Sequence, residues 1–180
     1  MQDYSELMAH PTGALESIAV RTAVNTLTSP ERHGSAPRHA VPVGDRGSDI
    51  DHVVIGPAGV FTINAKHHPN ASVWVGGNTF MVNGQRQPYI RNSRHEAARA
   101  GRLLTVACGF PVAVTGLIAV TGAHEGFTVK EQPPGGDVHV HVMTRREVDR
   151  WLRKRDAGVL SPGQVEAVHT TARRSTVWAT

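Results

Sequence analysis

The chain has 180 residues with 39% hydrophobic and 19% charged side chains, which is the composition of an ordinary globular protein with enough residues to bury a core. Its formal net charge of +4, carried mostly by arginine, allows an anionic partner such as nucleic acid without establishing one. The single cysteine, Cys108, excludes an internal disulfide and a cysteine-based zinc site, and no apolar run reaches the length of a membrane span.

In chain order, residues 1–11 carry no clear period and are expected to form a flexible arm, with one domain over 12–180. Thr12 is a candidate N-cap for a helix through Leu27, with Leu15, Ile18, Ala19 and Thr22 at helical spacing. A polar Pro/Gly-bearing loop follows at 28–38. "HAVPV" predicts a short strand at a sheet edge because of Pro42. Asp49–Ile55 and Gly59–Lys66 predict a hairpin closed by "GPAG". "SVWVGG" and "TFMVNG" predict a second one around Gly76-Gly77-Asn78.

Ser93-x-x-Glu96 has the form of a capping box and predicts a helix from Ser93 to about Ala107. Val112–Gly122 is too rich in β-branched residues for a helix and reads as a buried strand. "GFTVKE" and "VHVHVM" are shorter strands around the loop "QPPGGD". Two helices close the chain, Arg145–Arg155 and Pro162–Arg173, the second opened by Ser161-Pro162. The expected fold is α/β or α+β, with helices around one mixed sheet.

The chemistry concentrates in the first hairpin. Alternation puts Thr62, Asn64 and Lys66 on one face of the return strand. A four-residue Gly56–Gly59 connection sets Ile55 opposite Val60, and counting outward sets Asp51 opposite Asn64 and Asp49 opposite Lys66. Two carboxylates, an amide and an ammonium at one sheet end suit a hard divalent cation acting on a phosphodiester. A structural Asp49–Lys66 salt bridge is the alternative use of the same residues.

The segments "DIDHVVIGPAGVFTINAK" and "QPYIRNSRHEAARAGRLL" resemble the NERD (nuclease-related) domain, a branch of the PD-(D/E)xK restriction-endonuclease-like superfamily. The resemblance runs from about Gly13 to the C-terminus. It implies a restriction-endonuclease-like mixed sheet flanked by helices, and metal-dependent hydrolysis of DNA. By position, Asp51 matches the family's metal-binding aspartate, Lys66 its catalytic lysine and Glu16 its helical glutamate. Asn64 stands where the family carries Asp or Glu, so it would bind metal through a neutral oxygen or through a water. The implied cofactor is Mg²⁺ or Mn²⁺, weakly bound or absent.

His67, Arg94, Arg99 and Arg102 are the candidate phosphate contacts, with His95 beside Arg99 and Arg102 on one helical face. Glu96 is assigned to the capping box rather than to metal. His139 and His141 share a strand face but lack a third zinc ligand, and Trp151 is read as core rather than as a base-stacking platform. No phosphate loop supports a nucleotide cofactor and no nucleophile elbow supports covalent catalysis. A metal-dependent nuclease of the cytoplasm, acting on DNA as a monomer or a dimer, is the leading expectation. The alternative is an inactive nucleic-acid-binding module of the same fold.

Overall fold

The computed structural model describes residues 21–23, 41–42, 49–50 and 52–178. In chain order the described elements begin with β1 (Arg21–Ala23), β2 (Val41–Pro42), β3 (Asp49–Ile50), β4 (His52–Gly56) and β5 (Gly59–His67). Then come β6 (Ser72–Gly76), β7 (Thr79–Val82), β8 (Gln85–Gln87), α1 (Tyr89–Cys108) and β9 (Val114–Thr121). The chain continues through β10 (Gly126–Glu131), β11 (Val140–Thr144), α2 (Arg145–Arg153), α3 (Pro162–Ala172) and α4 (Ser175–Trp178). The fold is mixed α/β: two mixed sheets flanked by helices, the arrangement expected of a restriction-endonuclease-like domain.

The first sheet has the order β1-β4-β5-β9-β11. β4 and β5 form the predicted hairpin, with Ile55↔Val60 and a ladder running from Gly56↔Gly59 to His52↔Ile63. Gly59 closes it at φ 117°, a conformation that side chains with a Cβ rarely adopt. β5, β9 and β11 then run parallel, so β9 lies between two parallel neighbours. Gly116–Val120 are buried in one continuous run, the pattern of a central strand covered on both faces.

One face of that sheet packs Val53, Ile55 and Val60 under Ala97, Ala100 and Leu104 of α1, Val165 and Val168 of α3, and Trp178. The opposite face packs Val54, Phe61, Ile63, Leu117 and Met143 under Val148 and Leu152 of α2. The second sheet, ordered β10-β6-β7-β8, buries Val73, Val75 and Phe80 against Ile118, Val120, Val140 and Val142. α1 comes unusually close to β9. A Cβ added at Gly116 would meet Ser93 Oγ at 2.5 Å and Ser93 O at 3.2 Å, so the missing side chain lets the helix settle on the strand.

Several expectations are corrected. Within the helix expected over 12–27, Arg21–Ala23 is a strand, paired antiparallel to β4 with Thr22↔Val54. The outer edge of β4 carries backbone groups that need partners, and a three-residue strand supplies them better than a sparse helical period can. The rest of that helix and the 1–11 arm lie outside the described residues. Asp49 takes its ladder partner from β2, as Pro42↔Asp49, and the β4–β5 ladder stops at His52↔Ile63 without reaching Lys66.

The capping box at Ser93 is also overturned. α1 begins four residues earlier, after Pro88, whose carbonyl accepts from Asn92 N at 3.0 Å. Ser93 and Glu96 are interior helical residues, 3% and 7% exposed, on the face turned to the sheet. Finally, the single expected sheet is joined by a second, because the β6–β7 hairpin extends through β8 and pairs in parallel with β10 instead of joining the first.

Candidate active site

Odd-numbered Phe61 and Ile63 of β5 face α2, and even-numbered Val60 faces α1. Alternation therefore carries Thr62, Asn64 and Lys66 onto the α1 side. α1 meets this row with Tyr89 and Glu96. Seven residues apart, they are two helical turns apart on one stripe. Asn64 is 8% exposed, and its Nδ2 donates to Glu96 Oε2 at 3.2 Å. Asn64 Oδ1 is buried and has no hydrogen-bond partner among the described residues, and the same holds for Thr62 Oγ1. A flipped Asn64 amide would set two acceptors against each other, so the hydrogen bond fixes which atom is the orphan.

Lys66 is half-buried, with Nζ 5.1 Å from the centre of the Tyr89 ring. Tyr89 is held in turn by an edge-on Phe80 at 5.1 Å and a stacked His68 at 5.7 Å. Burial, reinforced by the charges of Lys66 and His67, lowers the pKa of His68 below the ordinary imidazole value. A neutral His68 adds no competing charge beside the ammonium. Lys66 thus shares its strand face with the orphaned oxygen of Asn64 and carries its ammonium over the Tyr89 ring. Among the described residues no three His, Cys, Asp or Glu side chains converge on one point.

A model of the nuclease-related domain, NERD, matches residues 16–121, more than half of the chain. The chain belongs to the NERD family. No curated protein and no solved structure matches it. The matched region spans the β4–β5 hairpin, α1 and all of β9, which are the elements that build the row of side chains above.

Within this NERD domain the predicted residues fare differently. Asn64 and Lys66 share the expected face. Asp51 and Glu16 lie outside the described residues. His67 is exposed at the end of β5, its Nδ1 2.9 Å from Thr121 Oγ1. Arg102 is exposed and Arg99 half-buried on α1. Arg94 is occupied otherwise: its guanidinium donates to Asn78 Oδ1 and to Pro134 O, each at 3.2 Å, tying α1 to the β6–β7 turn.

Two residues of the row are not among the site residues predicted from the sequence, Glu96 because it was assigned to a capping box. Glu96 carried one signal, a carboxylate on the helical stripe of Ile90, Ser93, Ala97, Ala100 and Leu104, all buried. Tyr89 had no signal of its own, since the helix was placed to begin after it. His141 packs on Trp151 at 4.8 Å, Phe61 meets it edge-on at 5.8 Å and Arg155 lies over its ring at 4.4 Å, so this aromatic serves packing around α2. Among the described residues no helix is long and apolar enough to cross a membrane.

Proposed function

We propose that this NERD domain is a metal-dependent nuclease that hydrolyses DNA phosphodiester bonds. The observation that carries the reading is the row on β5: Lys66, one pleat from a buried Asn64 whose carbonyl oxygen has no partner among the described residues. Asp51, two positions before Val53 in sequence and of the same parity, would hold the metal with Asn64 Oδ1, and Glu16 would add a further carboxylate. The orphaned amide oxygen fits a hard cation, which takes oxygen donors and retains waters. Mg²⁺ or Mn²⁺, when bound, would polarise the phosphoryl oxygens and make a bound water a better nucleophile at neutral pH.

The chain's own groups supply the rest. Lys66 orients the attacking water or balances charge growing on the phosphate. The Tyr89 ring keeps the ammonium from folding away into solvent. His67 and Arg102, exposed near the row and along α1, offer contacts to the DNA backbone, with Arg99 beside them.

The test is nicking of supercoiled plasmid in Mg²⁺ and in Mn²⁺, with Asp51→Ala and Lys66→Ala beside the wild type. Scission lost in both variants supports the reading. Scission that persists in both, or that never occurs, refutes it. The amide at position 64, satisfied on its nitrogen side by Glu96, favours a second reading, an inactive module that only binds DNA. That module would bind with a steep salt dependence and leave the strands intact.

A further inference from the structure

We infer that Glu96, on α1, is a divalent-cation ligand that works as a pair with Asn64. This inference rests on the nuclease reading and adds to it a residue from a different element, 32 positions away in sequence. Asn64 is more than nine-tenths buried, and its side chain splits into two functions. The NH₂ group holds one oxygen of the Glu96 carboxylate at 3.2 Å, while Oδ1 stays buried without a partner among the described residues. A buried carbonyl oxygen left unmatched costs free energy unless something occupies it. Beside it the protein places a carboxylate, the donor type that a hard cation needs together with neutral oxygens.

The packing of α1 supports a built site. Glu96 is only 7% exposed, so its carboxylate is not a solvated surface acid. The close approach of α1 to β9 at Gly116 and Ser93 brings the helix within reach of β5. Asn64 cannot itself carry negative charge, and Glu96 brings an ionisable carboxylate into contact with it. Lys66, one pleat along the strand from Asn64, sets its Nζ over the Tyr89 ring at 5.1 Å, whereas Asn64 turns its NH₂ group to Glu96.

The experiment is isothermal titration of Mn²⁺, and in parallel Mg²⁺, into the full chain and four variants: Glu96→Gln, Asn64→Asp, Asn64→Asp combined with Glu96→Gln, and Asp51→Ala. Glu96→Gln keeps an acceptor for Asn64 Nδ2, so its thermal unfolding in EDTA should match the wild type. Mn²⁺ affinity should fall at least tenfold. In the combined variant the carboxylate has moved across the hydrogen bond from helix to strand, and affinity should return to within about threefold of the wild type. A purely structural Glu96 would show the opposite pattern, an unchanged Mn²⁺ affinity in Glu96→Gln.

Loss of binding in Asp51→Ala with full binding in Glu96→Gln would overturn the role of Glu96 and leave the nuclease reading standing. No binding by any protein, Asn64→Asp included, would overturn both. Binding by Asn64→Asp but not by the wild type would show that Glu96 does not make up for the neutral amide, and would also overturn the inference.

Discussion

Gly116→Ala is the sharpest test of how the fold holds α1 against the sheet. The new Cβ would lie 2.5 Å from Ser93 Oγ, 3.2 Å from Ser93 O and 3.3 Å from Val140 Cγ2. The three contacts yield differently. Ser93 Oγ can rotate, but Ser93 is 3% exposed and its alternative rotamers must fit the same crowded interface. Ser93 O is helix backbone and gives only if α1 lifts, whereas Val140, a stiff β-branched side chain paired with Gly116 from β11, gives only if the two strands shift. Overpacking of this kind costs about 1–3 kcal/mol, and two of the three contacts being inflexible puts the expectation near the middle, about 2 kcal/mol. For a chain of this size that corresponds to a fall in Tm of roughly 4–8 °C.

Urea unfolding of the wild type, Gly116→Ala, Ser93→Ala and the double variant checks the mechanism. Ser93→Ala removes the 2.5 Å contact but leaves the backbone one, so the cycle should show a coupling of about 1 kcal/mol in favour of the pair. Gly116→Ala within about 0.5 kcal/mol of the wild type, with additive effects in the double variant, would refute the close approach. Lifting the helix should also loosen Glu96 from Asn64. Mn²⁺ affinity in Gly116→Ala should then fall even under conditions where the variant is fully folded.

Three further outcomes follow from the same geometry. Tyr89→Leu removes the ring under Lys66; a contact of about 0.5–1 kcal/mol predicts a two- to fivefold loss of single-turnover scission with Mn²⁺ affinity retained, and Tyr89→Phe should restore the rate. In the folded state burial above all, then Arg155 and His139, lowers the pKa of His141, so the folded chain binds fewer protons than the unfolded chain. Its contribution is present above the unfolded imidazole value near 6.5 and is lost as pH falls from there through the lower folded value; urea midpoints measured from pH 7.5 to 5.5 should drop less in His141→Phe, and less again when His68, shifted in the same direction, is also replaced. Thr144→Ala breaks the capping box in which Glu147 Oε2 accepts from Thr144 N at 2.9 Å and Thr144 Oγ1 at 2.7 Å, and should cost about 1 kcal/mol at pH 7 by chemical denaturation.

The parts of the fold that were legible in the sequence are those fixed by short-range rules. Alternation plus a Gly-bounded turn gave the β4–β5 register to the residue, Ile55↔Val60, because a one-residue slip would turn Thr62, Asn64 and Lys66 into the apolar layer under α2 and Phe61 and Ile63 out of it. Ser161-Pro162 marked the start of α3 because both its cap and its first turn are local. Where two local rules competed, the sequence misled. Ser93 and Glu96 satisfy the spacing of a capping box, but the same three-residue spacing places them together on one face of a helix that had already begun at Tyr89. The polar "QRQ" of β8 gave no strand signal because it lies at the outer edge of the second sheet, where side-chain burial does not select apolar residues.

The site was half legible for a related reason. Asn64 and Lys66 follow from one strand's alternation, whereas Glu96 meets Asn64 only because α1 crosses back over β5. That crossing is set by small residues, Gly116 on the strand and Ser93, Ala97 and Ala100 on the helix, whose sequence signature is that of ordinary packing. The distance between a helix and a sheet is a sum over such contacts, and no single residue announces it. A carboxylate borne on a helix can therefore serve a strand-borne amide only while that sum is kept small. It follows that substitutions at Ala97 or Ala100 that enlarge the side chain should weaken cation binding more steeply than their cost in stability would suggest, since stability averages over the whole interface and the Asn64–Glu96 pair depends on a separation of 3.2 Å. If cation affinity instead tracked global stability across such a series, Glu96 would be part of the packing and not of the site.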